Sequence, residues 1–255
     1  MDNKEFVEEN SVDKAVDMLF ENRKNYIIIG LTGRTGSGCS TVADLLNKKT
    51  FDELKYLPKP GNEGEITNDK RKEEIAYNYM KENWEQFHII RMHNVITSFI
   101  LENEWEEFIK LANIKEDQNK YEEFKMSYEE WKKEVDECNT ILKDFKQKIP
   151  SSHECEKVYQ LYINNMEEYT KAIEKFLTIY ADKKYAELYQ EIANNIRKSG
   201  KISEDKFDSC KIFTLSNRTN QIIKVIGKKS ELEEKKSELE EEKGELEEEK
   251  GANSN

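Results

Sequence analysis

Residues 121–149, YEEFKMSYEEWKKEVDECNTILKDFKQKI, carry the clearest structural signal in the chain. Tyr121, Phe124, Tyr128, Trp131, Val135, Cys138, Leu142, Phe145 and Ile149 recur at alternating spacings of three and four. That repeat places one apolar seam along a helix. Pro150 ends it, because a proline inside a helix removes a hydrogen bond and crowds the preceding turn. Ser151-Ser152-His153-Glu154 then has the spacing of a capping box that starts a new helix. A second seam follows through Cys155, Tyr159, Tyr162, Met166, Tyr169, Ile173, Phe176 and Tyr180. It drifts at Lys183-Lys184, resumes at Leu188, Ile192 and Ile196, and meets a terminus at Ser199-Gly200. Two such helices joined by a tight turn pack antiparallel, with arms of roughly 40 Å or more. Residues 101–200 are therefore expected to form a long α-helical hairpin, whose surface is offered for self-association or a protein partner.

Bulk composition supports this reading. Only 3 Pro and 10 Gly interrupt 255 residues, which favours long helices. The 3 Trp, 12 Tyr and 11 Phe supply a core despite 37% charged residues. The net charge is −12, and residues 228–250 contribute 11 Glu against 6 Lys. An acidic surface argues against direct nucleic-acid binding but still permits a phosphate ligand in a local pocket. Cys39, Cys138, Cys155 and Cys210 form no C-x-x-C pair. The acidic N-terminus MDNKEFVEEN does not read as a secretory leader, and no apolar run approaches a membrane span. The expected compartment is the cytoplasm, with no membrane contact.

Working outward from the hairpin, residues 11–23 read as an N-terminal helix and Tyr26–Leu31 as a buried strand. A glycine loop follows, and helical spacing resumes over Cys39–Leu46. Residues 56–69 read as a loop. Residues 70–84 read as an amphipathic helix with Ile75, Ala76, Tyr79, Met80 and Trp84 inward. Phe87–Met92 is a second strand candidate, and Val95, Ile96, Phe99 and Ile100 begin another helix. Beyond the hairpin, Ile212–Leu215 reads as a strand or loop and Arg218–Ile226 as a short helix. The Glu/Lys repeat offers one leucine per unit (Leu232, Leu239, Leu246), too thin a seam for more than weak helix or disorder. The expected divisions are 1–24, a core at 25–100, the hairpin at 101–200, a return at 201–227 and the tail at 228–255. The expected fold class is α/β: a P-loop nucleoside-phosphate-kinase-like core with an incomplete small parallel sheet, dominated by the helical hairpin.

The loop carries the chemistry. Gly33-Arg34-Thr35-Gly36-Ser37-Gly38-Cys39-Ser40 fits the spacing G-x-x-x-x-G-K-[ST] except at the lysine. Glycines let backbone N–H groups close around a phosphate, and the following helix adds its positive end. The predicted site comprises Gly33, Arg34, Thr35, Gly36, Ser37, Gly38, Cys39, Ser40 and Thr41. Ser40 is the candidate Mg²⁺ ligand, and the expected ligand is ATP or another nucleoside triphosphate with Mg²⁺. Cys39 supplies no cation, and no apolar run ends in an aspartate that would hold the metal. These two departures predict binding without independent turnover. The competing readings are an unliganded glycine-rich turn in a helical interaction protein, and a small-molecule or nucleotide kinase using Arg34 or another cation for the missing lysine. His88, His93, Arg91, Arg197 and Arg218 are secondary candidates, set against ordinary salt-bridge or surface roles. His153 sits at a helix start and is assigned no chemistry.

Ile27–Leu46, IIIGLTGRTGSGCSTVADLL, resembles the P-loop of bacterial phage-defence deoxycytidylate (dCTP) deaminases, including the cysteine of the GSGCST string. Ile75–Leu101 and Phe213–Val225 are similar as well. The resemblance implies a kinase-like nucleotide-sensing domain coupled to a zinc deaminase. Neither H-x-E nor P-C-x-x-C, the deaminase signature, occurs here. The resemblance thus implies a truncated member without deaminase chemistry.

Overall fold

The computed structural model describes residues 27–34, 36–54, 67–114, 118–145, 148–203 and 206–252. The predicted N-terminal helix at 11–23 and most of the predicted 56–69 loop lie outside them. The chain divides into two compact units, a small one at Ile28–Ile89 and a helical one that takes in Ile90 onward.

In the small unit, α1 (Cys39–Leu46) follows the glycine loop, and a 3₁₀ turn at Phe51–Glu53 precedes α2 (Asn68–Glu82). Thr67 caps α2 by accepting the Lys70 N–H at 3.2 Å. Phe51 is buried, with the rings of Tyr77 and Trp84 edge-on at 5.0 and 6.0 Å. This reverses part of the expected amphipathic face. Tyr77 turns toward Phe51, while Ile75, Tyr79 and Met80 are exposed.

The expected α/β fold with a parallel sheet is contradicted: the described residues are helical and contain no strand. Neither strand candidate pairs. Ile27, Ile28, Ile29 and Leu31 are exposed rather than buried. The segment leading into Phe87–Met92 spends its polar groups on the end of α1. Phe87 N–H donates to the Leu46 carbonyl (3.0 Å), Trp84 Nε1 to that of Lys48 (2.8 Å) and Gln86 Nε2 to that of Asn47 (2.9 Å). A β-branched run becomes a strand only when neighbouring backbone satisfies its N–H and C=O groups. Two short candidates separated by helices do not supply that.

The helical unit is built around α3 (Met92–Leu101), which is buried continuously from Asn94 to Leu101. It continues through α4 (Trp105–Leu111), α5 (Gln118–Asp144), α6 (Ser152–Tyr159), a π-helical turn at Gln160–Asn165, α7 (Met166–Tyr180), α8 (Tyr185–Ser199) and α9 (Thr214–Ala252). The first seam lies on α5, where Tyr121, Tyr128, Val135, Cys138 and Leu142 are buried. Ile149 falls beyond the end of α5 and is exposed. The second seam is broken into α6, the π turn, α7 and α8 rather than one rod. Phe124 stacks on Phe176 at 4.2 Å, and Trp131 on Tyr169 at 4.7 Å, so α7 runs back along α5. Trp105, Phe108, Tyr121 and Tyr128 extend this aromatic layer. The Ser151 capping box forms, with Ser151 N–H donating to Glu154 and Glu154 N–H donating to Ser151 Oγ. Gly200 closes α8 at φ 79°, a left-handed conformation that glycine takes without strain.

Polar groups on α3 are absorbed inside the unit. Thr97 Oγ1 bonds Thr170 Oγ1 and Tyr189 Oη at 2.8 Å each. Tyr128 Oη donates to the Ile100 carbonyl at 2.8 Å. The expected strand or loop at 212–215 is instead the entry to α9, which runs on into the Glu/Lys repeat. Leu232 packs against the core, and the Lys228–Glu231 and Lys229–Glu233 pairs support these partly buried turns. Among the described residues, no helix is long and apolar enough to cross a membrane.

Candidate functional site

The predicted site maps onto the entrance to α1. Ser37 N–H donates to the Arg34 carbonyl at 3.0 Å, closing a tight turn. Gly36 and Gly38 both occupy the left-handed region, at φ 82° and 85°. A Cβ at either would meet nothing within 4 Å, so these glycines are required by backbone conformation rather than by crowding. At Gly33 the reason is different. A Cβ there would stand 2.3 Å from Ser37 Oγ and 3.0 Å from Cys39 Sγ, so those side chains lie directly over the glycine. Ser37 Oγ and Cys39 Sγ are themselves 3.3 Å apart.

Gly38 is the N-cap of α1, and its carbonyl accepts the Val42 N–H at 2.9 Å. It has no side chain with which to satisfy the first-turn N–H groups, which leaves them for an external acceptor. No acidic residue occupies that first turn. Arg34, Ser40 and Thr41 are exposed and make no side-chain hydrogen bond among the described residues. Thr35 lies outside the described residues. The donor set suits a phosphate: uncapped amides beside the open backbone of Gly36 and Gly38, with two hydroxyls and one guanidinium in the same loop, while Gly33 is covered by Ser37 and Cys39. For Mg²⁺ the loop offers the single hydroxyl of Ser40, which fits a metal held mainly by phosphate oxygens and water. Among the described residues, no three His, Cys, Asp or Glu side chains gather to hold a metal by themselves.

The secondary candidates are distributed through the fold rather than brought to the loop. Arg91 Nε and His93 Nε2 approach Glu167 Oε2 at 3.4 and 3.3 Å, and Asn94 Nδ2 donates to the same oxygen at 3.2 Å. Burial opposes ionisation of Glu167, but the hydrogen bonds from Asn94 and His93 and the charges of His93 and Arg91 outweigh it. The carboxyl is held below its ordinary range. This cluster ties α3 to α7. Arg197 bonds its own helix, at Asn194 Oδ1 and the Ala193 carbonyl. His88 and His153 are exposed.

Arg218 is the residue whose surroundings the sequence did not reveal. Its Nη1 reaches Glu102 Oε1 at 2.7 Å and Asn139 Oδ1 at 2.6 Å, with the guanidinium 4.6 Å from the Phe99 ring centroid. It joins α3, α5 and α9. Burial pushes the nearby Tyr162 hydroxyl above its usual value, with the Arg218 charge opposing. Ser98 and Arg218 approach that hydroxyl, yet among the described residues it and Asn94 Oδ1 are buried without a well-formed hydrogen bond. Partners so distant in sequence leave no local spacing to read.

Comparison with family models, curated proteins and solved structures returned no match to this chain.

Proposed function

We propose that this protein binds a nucleoside triphosphate, with Mg²⁺, through the loop Gly33–Thr41 and acts as a nucleotide-responsive binding module rather than as an independent enzyme. One observation carries the reading: two left-handed glycines lead into a helix whose first-turn amides have no side-chain cap. Arg34, Ser40 and Thr41 add exposed side-chain donors suited to phosphate oxygens in the same loop. Cys39 gives the loop no cation where charge develops during phosphoryl transfer, which separates binding from turnover. The likeness of the GSGCST string to the loop of phage-defence deaminases favours a nucleoside triphosphate as the ligand. A cytoplasmic setting, with reduced thiols and abundant nucleotides, belongs to the same reading.

Calorimetric titration of the full chain with ATP and dCTP, with and without Mg²⁺, tests it. Saturable binding is expected. Gly38→Val should abolish it, since a β-branched residue resists φ 85°. Ser40→Ala should remove the Mg²⁺-dependent part. Cys39→Lys should tighten triphosphate binding about tenfold through a charge-assisted contact. Absence of binding by the native chain at millimolar nucleotide would leave the second reading, a helical interaction protein. Exposed Met126 on α5 and Ile179 on α7 favour that alternative; concentration-dependent sedimentation reads it.

A further inference from the structure

A second cluster of anion-binding chemistry lies in the helical unit, on the chain that leaves α8. Residues 197–211, RKSGKISEDKFDSCK, are locally cationic within a chain of net charge −12. Arg197, Lys198, Lys201, Lys206 and Lys211 outnumber Glu204, Asp205 and Asp208. Its described residues are tied together by hydrogen bonds. Asp208 N–H donates to the Lys198 carbonyl at 2.7 Å, returning the chain to the end of α8. The Asp208 carboxylate accepts the Cys210 N–H at 2.9 Å and starts a 3₁₀ turn at Ser209–Lys211. Gly200 turns the chain, and a Cβ there would lie 3.2 Å from Lys211 Cδ, so the Lys211 stem crosses over the glycine.

An open depression of about 560 Å³ lies here, lined by Ser199, Lys201, Lys206, Phe207, Asp208, Ser209 and Lys211, so that three lysines face it with one carboxylate, itself engaged by the Cys210 N–H. That volume falls in the range of small-ligand sites. The Lys206 and Lys211 ammonium groups make no ion pair among the described residues, and the Ser209 hydroxyl makes no side-chain hydrogen bond among them. Phe207 is 67% exposed beside them, with exposed Ile212 and Phe213 following in the chain. Exposed cationic heads and an exposed aromatic ring thus share one open depression, a pairing that suits a ligand with both characters.

We propose that this depression binds a phosphate group carried on an aromatic or apolar body, with Lys206 and Lys211 on the phosphate and Phe207 against the body. The site is separate from the glycine loop and does not depend on it. Amide NMR shifts of the full chain test the assignment during titration with inorganic pyrophosphate, ATP, and vesicles with or without a phosphoinositide. Saturable shifts across 199–211 are expected with pyrophosphate or with phosphoinositide vesicles, and the productive arm identifies a free or lipid-borne phosphate. Lys206→Glu with Lys211→Glu should weaken them at least about tenfold by charge reversal, while shifts at 36–41 persist. Phe207→Ala should weaken ATP but leave pyrophosphate unchanged. Shifts at 199–211 that are absent with every probe, or that survive the double charge reversal, would overturn the site whatever happens at the glycine loop. Gly38→Val, conversely, should leave them in place.

Discussion

The helical unit buries α3 along almost its whole length, whereas among the described residues of the small unit only Phe51 and Leu54 are buried. The two regions therefore divide labour by burial. The first ties Thr97, Thr170, Tyr189 and Arg218 into buried networks beside an aromatic layer. The second presents glycine backbone, uncapped amides and apolar side chains to solvent. Stability concentrates where apolar area leaves water, and binding loops are drawn from the less stable end of a structure. Hydrogen exchange should resolve this division directly, with amides of α1 and α2 exchanging far faster than those of α3 and α7.

The sharpest test compares two phenylalanines. Phe108→Ala removes a ring from the aromatic layer and should cost about 4 kcal/mol in the thermal unfolding of the helical unit. Phe51→Ala should leave that transition in place, and an equal loss from both would break the comparison. Arg218→Met should cost about 3 kcal/mol by leaving Glu102 and Asn139 facing each other without the guanidinium. Adding Glu102→Gln should recover part of the loss, measured by urea unfolding. Ser151→Ala should cost about 1 kcal/mol through the lost cap at α6. Glu167→Gln should have a smaller effect, felt at neutral pH and lost in acid. The native carboxyl titrates lower than in the unfolded chain, so its stabilisation is present above the unfolded pKa and disappears as pH falls through the folded one. The variant should flatten that acid limb, below roughly pH 4. Ile75→Ser should be within about 0.5 kcal/mol of the native chain, because the isoleucine is 63% exposed.

The same contrast explains what the sequence made legible. The spacing of Tyr121, Tyr128, Val135 and Leu142 identified α5 because helix periodicity and burial coincide there. Ser151 and Glu154 exposed the start of α6 through a purely local rule. Ile27–Ile29 misled, because β-branched composition states a preference while a sheet requires partner strands. Tyr77 was overlooked on α2 because contact with Phe51, not the helix's own pattern, sets its inward face. Arg218 was visible only as a charge, since Glu102 and Asn139 lie far away in sequence. At the loop, the spacing of Gly33, Gly36 and Gly38 marked a glycine-rich turn leading into a helix, while the left-handed backbone at Gly36 and Gly38 emerges only in the structure.

The π-helical turn at Gln160–Asn165 has a consequence for how this chain can change in length. Upstream of it, α6 packs against α9; downstream, α7 packs against α3. A π turn accommodates one residue more than an α-helical path, and one residue rotates an α-helix by about 100°. Removing one residue from 160–165 would therefore let the stretch close as regular α-helix while α6 keeps its face toward α9 and α7 its face toward α3. A one-residue deletion inside α7 has no such slack and would rotate everything beyond it by the same angle. The π turn is thus the place where this helical run can shed a residue without turning its buried seam, a reserve of length held between two fixed faces.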